Sequence, residues 1–309
     1  MSNELTAPIT RIIRGSTVDG PGIRTVIFLK GCTLRCGWCH NPETQSPEPE
    51  LLYDKRCCIN CRACAAVCEF DAIDFSREYI VDREKCTSCF ACTGVCPSNA
   101  LIPAGRIVTA EALTTECARD AVYFRTSGGG ITLSGGEPLL YPAFVRTVAR
   151  LCRERHISTV VDTGFAVPPS SIRAVIPDID LFLVDIKHSC RTEVHPETVF
   201  SNVMTFSATA RIRIRIPVIP QWNDTIDEMR AIIGRLIPLR GRIEQIDLLP
   251  FHNSAITKYR QLNRGWHPYE SFPPVPRSRI RHYTTLFKEE GFRVGHIAGA
   301  PDDTESIRV

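Results

Sequence analysis

The stretch GCTLRCGWCHNP, residues 31–42, carries thiols at Cys32, Cys36 and Cys39, spaced Cys-x3-Cys-x2-Cys. Thiolates are soft ligands suited to zinc and to iron–sulfur clusters, and both centres normally take four protein ligands. Three thiols in one loop leave a coordination position that something other than a nearby cysteine must fill.

Two more runs follow. Cys58, Cys61, Cys64 and Cys68 are spaced Cys-x2-Cys-x2-Cys-x3-Cys, and Cys86, Cys89, Cys92 and Cys96 repeat the spacing, with Pro97 after the last. This is the bacterial ferredoxin pattern for paired [4Fe–4S] clusters, in which three cysteines of one tight loop hold one cube and the fourth reaches to the other. Cys58, Cys61, Cys64 and Cys96 are therefore expected to form one set, and Cys86, Cys89, Cys92 and Cys68 the other. Paired zinc sites are the competing reading. Glu69 stands where the first run would carry proline, and Cys57 beside Cys58 makes the first ligand ambiguous; Cys58 keeps the spacing. Cys57, Cys117, Cys152 and Cys190 lie off these patterns and read as small buried hydrophobes.

Eleven of 15 cysteines in patterned runs point to metals or clusters in a reducing compartment rather than to disulfides. At 309 residues the chain can bury a core, and a formal charge of +3 gives no case for a nucleic-acid or membrane partner. The N-terminus lacks a basic region followed by an apolar run, and no apolar segment approaches the roughly 20 residues of a membrane span. The cytoplasm is the expected location.

Elements must position these thiols. Thr25–Lys30 reads as a buried strand leading into the cysteine loop. Helices are expected over 111–124, 143–155, 169–176, 226–239 and 277–290. Strands are expected over 131–133, 158–161, 181–186, 212–219, 243–249 and 292–297. Apolar strands alternating with helices argue for a parallel α/β sheet. Polar punctuation falls at successive strand ends as GCTLRC, SGGEP, DTG, DIKH and LLPFH, where a (β/α) barrel keeps its active site. The expected fold is a partial (β/α) barrel of about six repeats, spanning 1–44 and 104–309, with an inserted ferredoxin-like two-cluster domain at 45–103. A doubly wound open sheet is the alternative.

STVDGPGIRT followed by FLKGCTLRCGWCHNPE resembles the glycyl-radical-enzyme activating enzymes of the radical S-adenosylmethionine superfamily, among them pyruvate formate-lyase activase. The likeness runs on through SGGEP, DTG, DIKH, IPVIP and LLPFH. It implies that Cys32, Cys36 and Cys39 hold a [4Fe–4S] cluster whose open iron is chelated by S-adenosylmethionine. One-electron reduction then gives methionine and a 5′-deoxyadenosyl radical, which takes hydrogen from a glycine of a partner glycyl radical enzyme.

The resemblance also implies residue roles. Trp38 packs on the adenine or within its own loop, and His40 belongs with the cofactor contacts. Gly135 and Gly136 let backbone approach the methionine moiety, and Glu137 offers a carboxylate near its ammonium. Asp185, Ile186 and Lys187 match the family's Asp-x-Lys, with Lys187 part of the catalytic set. Asp162, Thr163 and Asp185, with the Leu183 carbonyl, match positions that hold a monovalent cation in pyruvate formate-lyase activase. His252 matches a histidine near the adenosyl group. Arg211, Arg213 and Arg215 alternate with isoleucines; the isoleucines should face the helices, leaving Arg215 to meet S-adenosylmethionine or the inserted glycine loop.

One departure is the segment SCRTEVHPETVFSNVMTFSATAR, which is short and shows no well-formed amphipathic helix. Three [4Fe–4S] clusters, a flavodoxin or ferredoxin donor, a monomeric state and an anaerobic setting complete the expectation. A multi-cluster electron-transfer protein, or another radical S-adenosylmethionine maturase with auxiliary clusters, are the alternatives. In such maturases the auxiliary cysteines follow the barrel; here they precede SGGEP, as in the longer activases. The glycyl radical enzyme is open: a glycerol or propanediol dehydratase, an arylacetate decarboxylase, a choline or isethionate lyase, or a formate-lyase-like enzyme.

Overall fold

A computed structural model of the chain describes residues 5–187 and 196–295. β1 (Thr6–Ser16) and β2 (Arg24–Leu29) form an antiparallel pair. β2 is buried along its whole length, as its unbroken apolar run requires. The insert follows, with β3 (Glu50–Tyr53), the one-turn helices α1 (Ala63–Ala66) and α2 (Ala91–Gly94), and β4 (Leu101–Ala104). Next come β5 (Arg106–Thr109), α3 (Ala110–Cys117), α4 (Ala121–Ser127), β6 (Gly130–Gly135) and α5 (Pro142–Glu154). The chain continues through β7 (Ser158–Thr163), α6 (Pro169–Val175), β8 (Leu181–Asp185), α7 (Pro196–Phe206) and β9 (Ile212–Val218). It closes with α8 (Ile226–Leu236), β10 (Ile243–Pro250), α9 (Ile256–Gln261) and α10 (Arg277–Glu289).

The large sheet has the order β10-β9-β8-β7-β6-β2-β1-β5. Its six strands from β10 to β2 are parallel; at one end β1 pairs antiparallel with β2, and β5 pairs antiparallel with β1. Its end strands do not pair with each other, so among the described residues the sheet is open and mixed, not a closed barrel. Among the same residues no helix is long and apolar enough to cross a membrane.

Helix boundaries follow local chemistry. Thr225 Oγ1 accepts the Glu228 N–H at 3.2 Å and caps α8, whose first turn carries Asp227 and Glu228 at the positive end of its dipole. Thr109 does the same for α3 through Ala112 N–H. Pro142 opens α5 at the position where its missing N–H costs nothing.

Strand alternation sorts the two faces of the sheet. Ile212, Ile214 and Ile216 are fully buried in the same core as Met229, Ile232, Ile233 and Leu236 of α8. The alternate residue Arg215 turns to the opposite face, where it meets Asp162 and Asp185.

Several expectations need correction. The single helix over 111–124 is split by a 3-10 turn at Ala118–Asp120. There the Asp120 carboxylate is engaged by Thr25 Oγ1 at 2.6 Å and by Arg14. The helix expected to reach 239 stops at Leu236, and Pro238 lies in a 3-10 turn. A helix is present in the segment where none was evident: α7 buries Val203 and Phe206, and its buried Asn202 donates to the carbonyls of Phe165 and Val167 at 2.9 and 3.0 Å. That polar residue inside the buried face masks the apolar stripe. The last strand, expected over 292–297, is reduced to a bridge between Val294 and Ile246; Phe292, Arg293 and Gly295 are not in a strand, and 296–297 lie outside the described residues. Cys117 and Cys152 are fully buried but Cys57 is exposed; Cys190 lies outside the described residues.

Candidate active site

The three-cysteine loop leaves β2 and is held by backbone on two sides. Gly31 N–H donates to Thr44 O at 2.8 Å and Cys32 N–H to Gln45 O at 3.2 Å. From the SGGEP turn, Gly136 N–H reaches Leu29 O at 2.9 Å and Glu137 N–H reaches Gly31 O at 2.7 Å. A Cβ on Gly136 would lie 2.0 Å from Gly31 O, so the close backbone approach expected of this glycine is made to the cysteine loop itself.

Two sulfurs accept backbone N–H groups, Cys32 from Leu34 and Cys39 from Asn41, both at 3.4 Å. Such bonds favour thiolate and tune an iron–sulfur centre. Burial pushes the Cys32 and Cys39 thiols up to about 12, so a thiolate ligand set there calls for a cationic centre to offset it. Residues and chemistry fit a cluster held by three cysteines.

Beside this loop lies a buried charge cluster. Lys187 Nζ donates to Asp185 Oδ2 at 2.7 Å. Arg215 faces Asp162 at 3.3 Å, Asp185 at 3.5 Å and Asp19 at 3.7 Å. Asp162 Oδ2 also accepts Ser134 Oγ–H at 2.7 Å. Burial, with Asp185 and Asp19 nearby, raises Asp162 to about 6 against the pull of Arg215. Burial opposes ionisation of Asp185 too, but Lys187 and Arg215 outweigh it and hold that carboxyl below its ordinary value. Lys187 is held protonated despite burial, by Asp185 first and then by Cys36, which couples it to the cysteine loop. Asp162 Oδ1 and Asp185 Oδ1 are buried without a hydrogen-bond partner. Three carboxylates thus face two fixed cations.

Glu137 is buried and braces three loops. Its carboxylate accepts Thr163 Oγ1–H at 2.7 Å, Gly164 N–H at 3.0 Å and Leu139 N–H at 3.1 Å. Burial raises its pKa against those bonds. Trp38 sits edge-on to Trp222, ring centroids 5.4 Å apart, and to Tyr269 at 6.2 Å. His40 and His252 lie 4.3 Å apart by centroid. Burial, then His252, depresses His40 to about 4, and burial lowers His252, so the pair is neutral near pH 7. Ile186 is buried beside Lys187, its N–H bonded to Arg215 O at 2.8 Å.

The insert repeats its backbone along with its cysteines. Left-handed residues Asn60, Arg62 and Asp71 in the first half recur at a constant offset as Ser88, Phe90 and Asn99. In both halves the third cysteine lies in a one-turn helix and the fourth donates its N–H back to that helix. One hollow is lined by Cys58, Cys61, Cys64 and Cys96, and a second by Cys68, Cys86, Cys89 and Cys92. The crossed sets expected from spacing are therefore brought together. Among the described residues no three His, Cys, Asp or Glu side chains converge as ligands of one metal ion.

Asp19, Lys258, Gln261 and Trp266 were not singled out from sequence. Asp19 sits in VDGPGIR, which carried the resemblance without assigning it a role. The others lie in loop or short-helix sequence with no spacing signal.

The ordered parallel strands, the helix-covered face and the cysteine loop at the end of β2 define a radical S-adenosylmethionine type of α/β protein. A radical S-adenosylmethionine methyltransferase from Sphaerobacter thermophilus has a similar fold, with a TM-score of 0.50 and 14% identity over 97% of this chain and 77% of that one. The family described as 4Fe-4S dicluster domain matches residues 57–100, and 4Fe-4S single cluster domain matches residues 18–76. The benzylsuccinate synthase activating enzyme of Thauera aromatica is 37% identical, covering 94% of this chain and 93% of its own. The choline trimethylamine-lyase activating enzyme of Oleidesulfovibrio alaskensis is 35% identical over 95% of this chain and 99% of its own. The chain belongs to the glycyl-radical-enzyme activating enzymes.

Proposed function

We propose that this activating enzyme works with three [4Fe–4S] clusters, one on Cys32, Cys36 and Cys39 and one on each crossed set of the insert. The observation that carries the reading is the buried Asp185–Lys187 pair, Nζ to Oδ2 at 2.7 Å, at the end of β8, together with the three cysteines on the loop that leaves β2. Cys32, Cys36 and Cys39 would hold the first cluster, and S-adenosylmethionine bound beside it would supply the radical chemistry by which hydrogen is taken from a glycine of the partner.

Lys187 holds a fixed positive charge where the methionine carboxylate arrives, and Arg215 orients Asp162 and Asp185 around it. Gly135 and Gly136 keep the SGGEP backbone against the loop, and Glu137 locks that turn. His40 and His252 pack together as an uncharged pair suited to the adenosyl group, with Trp38 and the buried Ile186 as further candidates to contact it. The excess of carboxylates over fixed cations supports an alkali cation held by Asp162, Asp185, Thr163 and the Leu183 carbonyl; Asp162 Oδ1 and Asp185 Oδ1 accept no hydrogen bond and are met by the Arg215 charge.

Residues 45–103 are proposed as a ferredoxin-like domain, supported by their separate apolar core around Leu51, Tyr53, Ile80 and Leu101. The remainder curves as a partial barrel of about six repeats. The protein is proposed to act as a cytoplasmic monomer on one glycyl radical enzyme, with electrons from a flavodoxin or ferredoxin.

Anaerobic reconstitution tests this directly. Roughly twelve irons per chain are expected from three four-iron cubes, with reductive release of 5′-deoxyadenosine that Cys36→Ala abolishes. A candidate partner should then develop a glycyl-radical doublet in electron paramagnetic resonance. About eight irons without cleavage would favour electron transfer instead.

A further inference from the structure

We propose that residues 256–271 form a coupling element that makes the three-cysteine loop and the insert one mechanical unit, with Lys258 and Gln261 as its positioning residues. This rests on the proposed function in taking both regions as cluster sites.

Toward the cysteine loop the segment supplies donors to several acceptors, of which Asn41 Oδ1 also accepts from Arg11 and Pro42 O from Gln45 N–H. Lys258 Nζ donates to His40 O at 3.0 Å, Asn41 Oδ1 at 2.8 Å and Glu43 Oε1 at 2.8 Å. Arg264 Nη1 reaches Pro42 O at 3.0 Å, and Trp266 Nε1 reaches Gly37 O at 2.9 Å, between Cys36 and Cys39.

Toward the insert the same segment is tied equally. Tyr79 Oη donates to Gln261 O at 2.9 Å, Gln261 Nε2 donates to Asp54 Oδ2 at 2.9 Å, and Arg264 Nη2 donates to Glu50 Oε1 at 2.6 Å. Tyr79 packs against the insert core together with Cys58, Cys86 and Cys96, and its ring meets Tyr53 edge-on at 5.6 Å. Between the two sets of bonds, Tyr259 stacks on Trp266 at 5.0 Å and 17°, both buried, so the segment is stiffened by its own packing.

A stiff element bonded at both ends carries strain from one site to the other through contiguous contacts. Cluster binding that orders the insert should order residues 37–41, and by linkage the reverse holds.

Hydrogen exchange on the full-length, anaerobically reconstituted protein tests this, read at peptides covering 37–41. Cys89→Ser, which removes a ligand of the second set, should speed exchange there and weaken S-adenosylmethionine binding, each by about tenfold. In a Tyr79→Phe/Gln261→Ala background, where only the Arg264–Glu50 tie remains, the same substitution should add a smaller change than in the wild type. Tyr79→Phe alone, which leaves every cysteine in place, should also speed exchange at 37–41. Unchanged exchange at 37–41 in Tyr79→Phe, or in Cys89→Ser after its insert has lost iron, overturns the coupling. If the wild type fails to bind S-adenosylmethionine, the proposed function falls, while the exchange measurement still decides the coupling.

Discussion

Arg215 Nη1 stands 3.3 Å from Asp162 Oδ1, joining β9 to β7 across the intervening β8, strands that share no backbone hydrogen bond. The same guanidinium meets Asp185 on β8 and Asp19 in the loop before β2. One side chain therefore fixes the relative placement of three segments that end at the site. Its charge is only 14% exposed, so the arrangement is retained at the cost of desolvation and is sensitive to loss of either partner.

Arg215→Met should destabilise the protein by ~3–5 kcal/mol, the usual consequence of stranding buried charge. Only Lys187 would remain to face the carboxylates. Arg215→Lys keeps the charge but cannot span Asp162 and Asp185 with two separate nitrogens, so it should recover part of the loss. Chemical denaturation at neutral pH measures both; equal stability of Arg215→Met and wild type would show that the cluster is not held by this residue.

The charge excess gives a second prediction. Replacing sodium and potassium by tetramethylammonium at equal ionic strength should weaken S-adenosylmethionine binding about tenfold, or ~1.4 kcal/mol. Asp162→Asn should abolish that dependence by removing one carboxylate. Calorimetric titration in the two salts would refute the alkali-cation reading if affinities coincide.

The cluster ligands were legible because cysteine spacing is a local geometric demand: a cube fixes how far apart successive sulfurs lie on a short loop. Strands such as β2 and β9 were legible for a similar reason, a period or an unbroken apolar run. β1 and β5 were not, because their burial is partial and they pair with each other from opposite sides of the insert. The bracing of Glu137 by Thr163 was equally hidden: two motifs at neighbouring strand ends suggested ligands, whereas their side chains bond to each other. Sequence marks residue types at strand ends; the third dimension determines which of them are already engaged.

Buried thiols give a pH prediction with a definite sign. Burial pushes Cys117 to about 12 and Cys152 to about 11, from an ordinary 9.0. Above pH 9 the unfolded chain releases protons that the folded chain keeps, so unfolding becomes easier as pH rises. This contribution is complete below 9.0 and is lost as pH climbs through the folded values. Cys117→Ala should flatten the alkaline slope of stability while lowering stability at neutral pH through lost packing. In the native protein neither thiol should react with an alkylating reagent at pH 8, whereas exposed Cys57 should. Rapid native-state labelling at Cys117 would contradict the burial.

Two glycines separate backbone approach from mere composition. At Gly136 a methyl group would meet Gly31 O at 2.0 Å and Thr44 O at 2.8 Å, both backbone atoms that cannot swing away. Gly136→Ala must therefore push the SGGEP turn off the cysteine loop and break the Glu137 N–H bond to Gly31 O. A loss of about 3 kcal/mol or more is expected, in the range reserved for forced backbone displacement. At Gly94, in α2 beside the second cysteine set, nothing lies within 4 Å of the added Cβ, and its φ is not in the left-handed region. Gly94→Ala should be neutral or stabilise by ~0.4–1 kcal/mol through the unfolded chain. Denaturant titrations of the two variants, with iron content measured alongside, distinguish the cases. Gly136→Ala should lose iron from the Cys32 site before it loses the insert's, because the displaced contact is to Gly31, adjacent to the first ligand.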